Sequence, residues 1–399
     1  MEGGFSKPRL GRVREVLEGQ VDRGGIPGLV ALVSRRGEVH VEAVGVRSIG
    51  GDAIAQDAIF RIASMTKPVT AVATMILIEE GRLRLDEPVD RLLPELAGRR
   101  VLKEVDATLD QTVPANRPIT VRDLLTFTAG FGYLFTETLY PIHLATAEQG
   151  LSAGPPRPEA LPTPDEYMRR LGTLPLMYQP GEVWLYNTGA EILSVLVARA
   201  SGQPFDEFLS EHIFEPLGMK DTGFVVPAGK LDRLTTCYAT NRQSGEVGVF
   251  DAAETSEWRR APAFQNGAGG LVSTAGDFLA FAQMLLNHGS NGRLRVLSRP
   301  SVELMTTDQL TAKQKSVSGL QPGMFADHGW GFCLYIVTGR TGFPSVGSYG
   351  WGGGLGTAWE TDPREEMITI LLTTKTWDSS TPPPVFGDYW TSIYAAFDD

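Results

Sequence analysis

The chain has 399 residues, of which 42% are hydrophobic and 21% charged, a composition that excludes a disordered protein and supports a sizeable core. Its formal net charge of −11 argues against a nucleic-acid partner, because phosphate contacts need clustered lysine and arginine. It has no run of roughly 18 apolar residues and no secretory leader, so we expect a cytoplasmic protein without membrane association.

The N-terminal part of the chain predicts a helix, a hairpin and a second helix. Apolar residues at three- and four-residue steps predict a helix that begins at Pro8 and ends at Gly24–Gly25. Two β-rich runs, at 29–34 and 38–45, are joined by a link short enough for a hairpin. A second amphipathic helix begins near Ser64.

The middle of the chain is mainly helical, and its last part is rich in strands. Helical periods separated by Pro- and Gly-rich connections predict helices at 120–127, 164–172, 189–200, 204–213 and 275–288. Later β-branched and aromatic runs predict strands at 329–337, 345–351, 357–362 and 366–374, followed by a helix at 384–396.

The order of these elements predicts an α/β (α+β) fold. A two-stranded hairpin alone is marginally stable in water, so the N-terminal hairpin needs the C-terminal strands as partners. We therefore expect one antiparallel sheet built from both chain ends and flanked by helices, beside a mainly helical lobe. The predicted domains are a discontinuous one, 1–63 with 300–399, and a helical one, 64–299, with a site at the seam between them.

Several kinds of catalytic site are absent from the sequence. It has no G-x-S-x-G elbow, no H-E-x-x-H, no phosphate-binding loop and no dinucleotide fingerprint. The five histidines lack ligand spacing, and Cys237 and Cys333 are too few for a structural zinc site or a disulfide framework. We expect two buried cysteines, no metal and no organic cofactor.

One motif carries chemistry: Ser64 and Lys67 form S-x-x-K at the start of a predicted helix. A three-residue step places both side chains on one helix face, and the Ser64 N–H would be among the unpaired donors of the helix N-terminus. On this motif alone, an N-capping serine followed by a solvated lysine explains the pattern equally well.

A nucleophilic serine needs a base, and without a histidine triad that base is Lys67 or a nearby phenol. Both groups ordinarily titrate near pH 10. A lysine cation favours a phenolate beside it, whereas burial favours a neutral lysine, and either product could accept the serine proton. The chemistry therefore predicts a tyrosine supplied by the helical lobe.

Taken together, longer segments resemble the serine β-lactamase-like superfamily, with the class C β-lactamase fold, and most closely the family VIII carboxylesterases. The matching segments are RIASMTK at 61–67, ITVRDLLTFTAG at 119–130, QPGEVWLYNTGAEIL at 179–193, IFEPLGMKDT at 213–222, GAGGLVSTAGDFLAF at 267–281 and SYGWGGGLG at 348–356. The resemblance implies that Ser64 is the acyl-accepting nucleophile and that Lys67 and Tyr186 move its proton.

The resemblance also implies a third motif. Trp351-Gly352-Gly353 is similar to the W-G-G of several family VIII esterases and lies where β-lactamases carry K-T-G. In the same register, the N–H of Gly354 would join that of Ser64 in an oxyanion hole. Tyr133 is a further candidate substrate-binding residue, and Trp351 could alternatively serve only to pack the lobes together.

Some positions depart from the β-lactamase pattern. Trp351 replaces the cationic lysine that faces a lactam carboxylate. Thr188 stands at the position of the substrate-binding asparagine of Y-x-N, and Asn187 is one residue early. Both remain candidate substrate-binding residues. Phe127 and Ala129 replace a histidine and a serine of H-T-S-G, so that segment supports the fold more than the chemistry.

Four aromatic residues could line an acyl pocket or belong to the ordinary core: Tyr133, Phe135, Tyr140 and Phe343. The departures above favour a neutral substrate, so we predict a serine carboxylesterase that hydrolyses short-chain neutral esters of small molecules through an acyl-enzyme. The alternatives are a class C-like β-lactamase, an amidase, an acyltransferase, a penicillin-binding module that deacylates slowly, and an inactive scaffold. The sequence leaves the oligomeric state, the acyl length and the alcohol open.

Overall fold

The computed structural model describes residues 3–133, 135, 138–151, 154–241, 243–292 and 294–399. Its helices are α1 (Lys7–Asp22), α2 (Thr66–Glu79), α3 (Val121–Leu125), α4 (Pro141–Glu148), α5 (Pro164–Thr173), α6 (Thr188–Ser201), α7 (Phe205–Leu209), α8 (Glu215–Leu217), α9 (Ala275–Leu286), α10 (Arg299–Met305), α11 (Ala312–Ser316) and α12 (Pro384–Tyr394).

The strands, many of them short, are β1 (Gly28–Arg35), β2 (Glu38–Gly45), β3 (Phe60–Arg61), β4 (Arg100–Leu102), β5 (Thr112–Pro114), β6 (Cys237–Thr240), β7 (Val247–Asp251), β8 (Val272–Ser273), β9 (Ser290–Asn291), β10 (Leu294–Arg295), β11 (His328–Trp330), β12 (Tyr335–Val337), β13 (Tyr349–Gly353), β14 (Thr357–Asp362) and β15 (Met367–Thr373).

A seven-stranded antiparallel sheet joins the two ends of the chain, as predicted. Its order is β11-β12-β13-β14-β15-β1-β2, so the N-terminal hairpin continues the C-terminal strands. The hairpin turns at Arg36 and Gly37, which both have positive φ (48° and 84°). Two consecutive left-handed residues suit a two-residue hairpin turn, and glycine adopts that conformation without strain.

The sheet has an outer face, packed against the terminal helices α1 and α12, and an inner face, packed against the helical lobe. The outer core contains Leu17 of α1, Leu371 of β15 and Phe386 of α12. On the inner face, Trp359 of β14 packs edge-on against Phe278 of α9, with ring centroids 5.4 Å apart. The predicted covering of the sheet is confirmed, while the domain boundaries remain a prediction.

Most predicted elements are present within a few residues, but the strand predicted at 329–337 is wrong. The chain forms two short strands there, β11 and β12, separated by a turn in which Cys333 has a φ of 60°. The Cys333 N–H donates to the Leu125 carbonyl at 3.0 Å, so a contact with the helical lobe interrupts the strand. The helix predicted at 204–213 is an α-helix only over α7, and its second half is a π-helical turn, Ser210–Phe214, that leads into α8.

The small hairpins β4–β5 and β6–β7, within the mainly helical lobe, were not predicted. Both predicted buried cysteines, Cys237 and Cys333, are buried and free. None of the helices in the described part of the chain is long and apolar enough to cross a membrane.

Candidate active site

Ser64 lies in a single 3-10 turn, Ala63–Met65, that leads directly into α2. This turn is strained at Ala63, whose φ is 45°. Lys67 follows in the first turn of α2, and its Nζ is 2.9 Å from Ser64 Oγ and 2.6 Å from the Ala268 carbonyl oxygen. The S-x-x-K pair therefore makes direct contact, and Lys67 is fully buried instead of solvated.

Burial lowers the pKa of Lys67 to about 7, and the negative charge of Glu191 partly opposes this shift. Desolvation disfavours the ammonium because its two nearest acceptors, a hydroxyl and a carbonyl, carry no full charge. A substantial fraction of Lys67 is then the free amine at neutral pH. A free amine can accept the Ser64 proton across the existing 2.9 Å contact.

Tyr186, which lies two residues before α6, is the third side chain in contact with Ser64 and Lys67. Its hydroxyl accepts a hydrogen bond from the Trp351 Nε1–H at 2.9 Å, and the neighbouring Ser64 side chain lowers the pKa of this hydroxyl. The Lys67 ammonium nitrogen lies 4.5 Å from the centroid of the Tyr186 ring. Burial raises the pKa of Tyr186 above its ordinary value, so of the two alternatives for the base these environments favour the neutral lysine over the phenolate.

Strand β13 reaches the Ser64 turn because Gly353 has no side chain. A Cβ at Gly353 would overlap the Ile62 carbonyl oxygen, directly before the turn. The Thr357 hydroxyl donates to the same carbonyl at 3.0 Å and holds the end of the strand there. Ser64 and Gly354 consequently line one cleft, as an oxyanion hole formed by their two N–H groups requires.

A buried carboxyl group, that of Glu191 in α6, lies behind this site and was missed by the sequence reasoning. It accepts hydrogen bonds from the Tyr167 hydroxyl at 2.5 Å and from Asn266 Nδ2 at 3.3 Å. Burial raises the pKa of Glu191. An available signal was a lone acidic residue in the otherwise apolar helix after Tyr186, since charged residues are rarely buried without partners.

The predicted substrate-binding residues divide into two groups. Residues that line the cleft are Tyr133, Phe135, Asn187, Trp351 and Gly352. Asn187 has a strained φ of 81° and donates from Nδ2 to the Tyr133 hydroxyl at 3.0 Å. The Tyr133 hydroxyl also lies 3.5 Å from Glu191 Oε1.

Other candidate positions lie elsewhere. Thr188 is buried in the first turn of α6 and Gly353 faces the Ser64 turn, so neither lines the cleft. Tyr140 packs on His143, with ring centroids 5.4 Å apart, and Phe343 stacks on Tyr394 at 5.9 Å. The suggestion that these two aromatic residues line an acyl pocket is wrong, because local ring contacts hold them outside it.

The cleft has a volume of about 1110 Å³ and runs between the sheet and the helical lobe. Its apolar walls include Phe264, Leu161 and Met324. Within the described lining Arg157 is the one arginine or lysine, and it is paired with Glu257 at 2.8 Å. A cleft of this kind suits an uncharged acyl group better than an anionic one.

Comparisons with known proteins find relatives that cover most of this chain. The sequence profile of the Beta-lactamase family matches residues 13–382. Protein Rv1367c of Mycobacterium tuberculosis is 37% identical over 369 residues, covering 90% of this chain and 88% of its own. Esterase EstB of Burkholderia gladioli is 28% identical over 377 residues, covering 89% and 88% respectively.

Among solved structures, the chain is similar to EstCE1, described as a hydrolase with promiscuous acyltransferase activity. The TM-score is 0.78 at 24% identity, with 98% of each chain covered. This similarity supports the fold: a large antiparallel sheet with flanking helices and a helical lobe.

Proposed function

Because this chain belongs to the Beta-lactamase family, a fold family of serine hydrolases with esterase and acyltransferase members, we propose that it is a serine carboxylesterase acting on neutral esters. Ser64 is the nucleophile in this proposal, Lys67 is its base, and Tyr186 orients the pair and relays the proton. The N–H groups of Ser64 and Gly354 stabilise the oxyanion.

The proposed reaction has two halves. Ser64 Oγ attacks the ester carbonyl carbon while its proton passes to the Lys67 amine, and the carbonyl oxygen becomes the oxyanion. The C–O bond to the alcohol then breaks, and the ammonium returns the proton through the Tyr186 hydroxyl to the departing alkoxide. Water repeats these steps on the acyl-enzyme, giving the acid and free Ser64.

The observation that carries the ester assignment is the contact between Trp351 and Tyr186. An indole N–H is the only hydrogen-bond donor of a tryptophan side chain, and here it is used on the Tyr186 hydroxyl at 2.9 Å. Trp351 therefore presents an apolar ring where a lactamase would present a cation to the substrate carboxylate. A neutral ester loses nothing by this replacement, whereas an anionic lactam loses a charge-assisted hydrogen bond.

A hydrolysis panel tests this assignment. We expect kcat/KM for short-chain p-nitrophenyl esters to exceed that for nitrocefin by at least roughly a hundredfold, about 2.7 kcal/mol in transition-state stabilisation. A fluorophosphonate should label Ser64, and Ser64→Ala should abolish both labelling and turnover. Specificity constants that favour nitrocefin would move the assignment from an esterase to a β-lactamase, and labelling at another serine would refute Ser64 as the nucleophile.

An acyltransferase is the second candidate function. The cleft volume of about 1110 Å³ leaves room for an acceptor alcohol beside a short acyl group, and EstCE1 is described as having acyltransferase activity. Product analysis with a p-nitrophenyl ester and increasing n-butanol separates the two. Butyl ester formed at the expense of free acid at low alcohol concentration would favour transfer.

A further inference from the structure

A second compartment of the cleft lies on the outer face of the sheet, behind Trp351. Side chains alternate along a strand, so Gly352 of β13 points away from the face that carries Trp351. The cross-strand partner of Gly352 is Ala358, and that of Gly350 is Glu360. Three of these four neighbouring positions have no side chain larger than a methyl group, which leaves a depression in the sheet with one carboxyl group at its end.

Three aromatic side chains surround this depression, which we call the rear pocket and define by Tyr335, Gly352, Ala358, Glu360, Trp377 and Trp390; all six line the cleft. Trp377 lies over Gly352, where an added Cβ would overlap its ring. Trp390 donates from Nε1 to Thr369 Oγ1 at 3.0 Å, and Thr369 is the cross-strand partner of Glu360. The indole of Trp390 is thereby fixed next to the carboxyl group.

Glu360 uses one of its two carboxylate oxygens in a hydrogen bond within the described part of the chain. Its side chain is buried, with 5% of the residue exposed. Oε2 accepts a hydrogen bond from the hydroxyl of Tyr335, which lies on the other side of Gly350 in the sheet. Its Oε1 has no hydrogen-bond donor among the residues that the structure describes. Burial, reinforced by the charge of Asp362, raises the pKa of Glu360 to about 7. Because Glu360 lines the cleft, this free oxygen is suited to a ligand that brings a hydrogen-bond donor.

The chemistry of the walls specifies the kind of donor. Aromatic faces attract cations and repel anions, and the ionised form of Glu360 beside them adds a negative charge that a bound cation would stabilise. Among the residues that the structure describes, no lysine or arginine occupies this place: Lys375 is paired with Asp378 at 3.6 Å, and the Arg157 side chain lies over the Phe250 ring with its Cζ 4.2 Å from the centroid. We propose that the rear pocket binds an organic cation, an alkylammonium group whose charge rests on Glu360 and whose alkyl groups contact the aromatic rings.

The rear pocket opens into the same cleft as Ser64. Gly350, opposite Glu360, is four residues before Gly354, a separation of roughly 13 Å along an extended strand. A ligand could therefore place its cation in the rear pocket while an extended chain reaches the Ser64 turn. Binding of the cation does not depend on the esterase proposal, so each can fail without the other.

Choline and its uncharged isostere 3,3-dimethylbutan-1-ol test the proposal, because they have the same shape and differ in charge. Titration of the full chain, followed by tryptophan fluorescence and calorimetry, should show choline binding at least roughly tenfold more tightly. Glu360→Gln keeps the shape of the side chain and should remove that preference. Asp327→Asn, which neutralises a carboxylate at the cleft rim bonded to His328, should retain it.

Trp377→Leu provides a second test if Glu360→Gln is poorly folded in a thermal melt. It retains the carboxyl group, removes one ring, and should weaken choline binding several-fold with little effect on the isostere. Equal affinities for the two probes, no detectable choline binding, or an unchanged preference in Glu360→Gln would overturn the proposal.

Discussion

Arg61 and Lys67 are two buried cations at the ends of the same short segment, and their surroundings differ in one decisive respect. The Arg61 guanidinium donates to Asp251 Oδ2 from Nε at 2.5 Å, to the Thr235 carbonyl at 2.6 Å and to Ser256 Oγ at 3.0 Å. A carboxylate thus compensates its charge. Because these hydrogen bonds join strand β3 to the β6–β7 hairpin, the role of the network is structural.

Lys67 has no carboxylate within ion-pair distance in the described part of the chain, only the Ser64 hydroxyl and the Ala268 carbonyl. The negative charge of Glu191 acts through space and partly offsets the lowering of the Lys67 pKa by burial. Burial without a direct counter-charge makes the free amine accessible near neutral pH. The difference indicates that a fully paired buried cation stabilises the fold, whereas an unpaired one is available to accept a proton.

Removing the Lys67 amine is the strongest test of the difference between the two cations. Lys67→Met should lower kcat/KM by at least roughly 10³-fold, because a positioned base contributes on this scale. The free energy of unfolding should stay unchanged or rise, since a costly buried amine is replaced by an apolar chain. Ester assays and urea denaturation measure the two quantities. Turnover within about tenfold of the native protein would show that Lys67 is not the base.

The matched change at Arg61 should have the opposite effect, lowering stability and leaving turnover intact. Arg61→Met should lower the free energy of unfolding by about 3–5 kcal/mol, because Asp251 loses its partner in a buried position. The double variant Arg61→Met/Asp251→Asn should recover part of that loss. Folded Arg61→Met should retain its kcat, and a stability close to that of the native protein would refute the structural assignment.

Tyr186→Phe separates orientation from packing at the same site. The ring contacts remain, but the hydroxyl that meets Ser64 and accepts the Trp351 N–H is lost. We expect kcat to fall by roughly 10²-fold with little change in KM. Near-UV circular dichroism serves as the control for folding. A variant that keeps most of its kcat would leave Lys67 acting without the phenol.

The smallest expected effect is a shift in the pH profile. Lys67 must be unprotonated to act, so kcat/KM should rise with pH through a midpoint near the Lys67 pKa of about 7. Glu191 raises that pKa, so Glu191→Gln should move the acid limb to lower pH. The exposed Glu254 offers a matched control, and Glu254→Gln should leave the midpoint in place. A shift to higher pH in Glu191→Gln would contradict the assignment.

Local patterns predicted most elements that position the site. The hairpin turn at Arg36–Gly37 and the S-x-x-K spacing depend on neighbouring residues, so a periodic pattern is sufficient to find them. The strand predicted at 329–337 failed because Leu125, far away in the chain, accepts the Cys333 N–H and turns the backbone there. Strand patterns carry no information about such a distant partner.

The sequence by itself determined the antiparallel sheet from both chain ends, the contact between Ser64 and Lys67, and the family to which the chain belongs, since periodicity and motif spacing encode them. Only the tertiary structure favoured the amine over the phenol as the proposed base, and placed Asn187 in the cleft and Thr188 outside it. It also revealed the two buried carboxyl groups of Glu191 and Glu360. These features depend on desolvation and on contacts between residues distant in the chain, which arise only when the sheet and the helical lobe pack together.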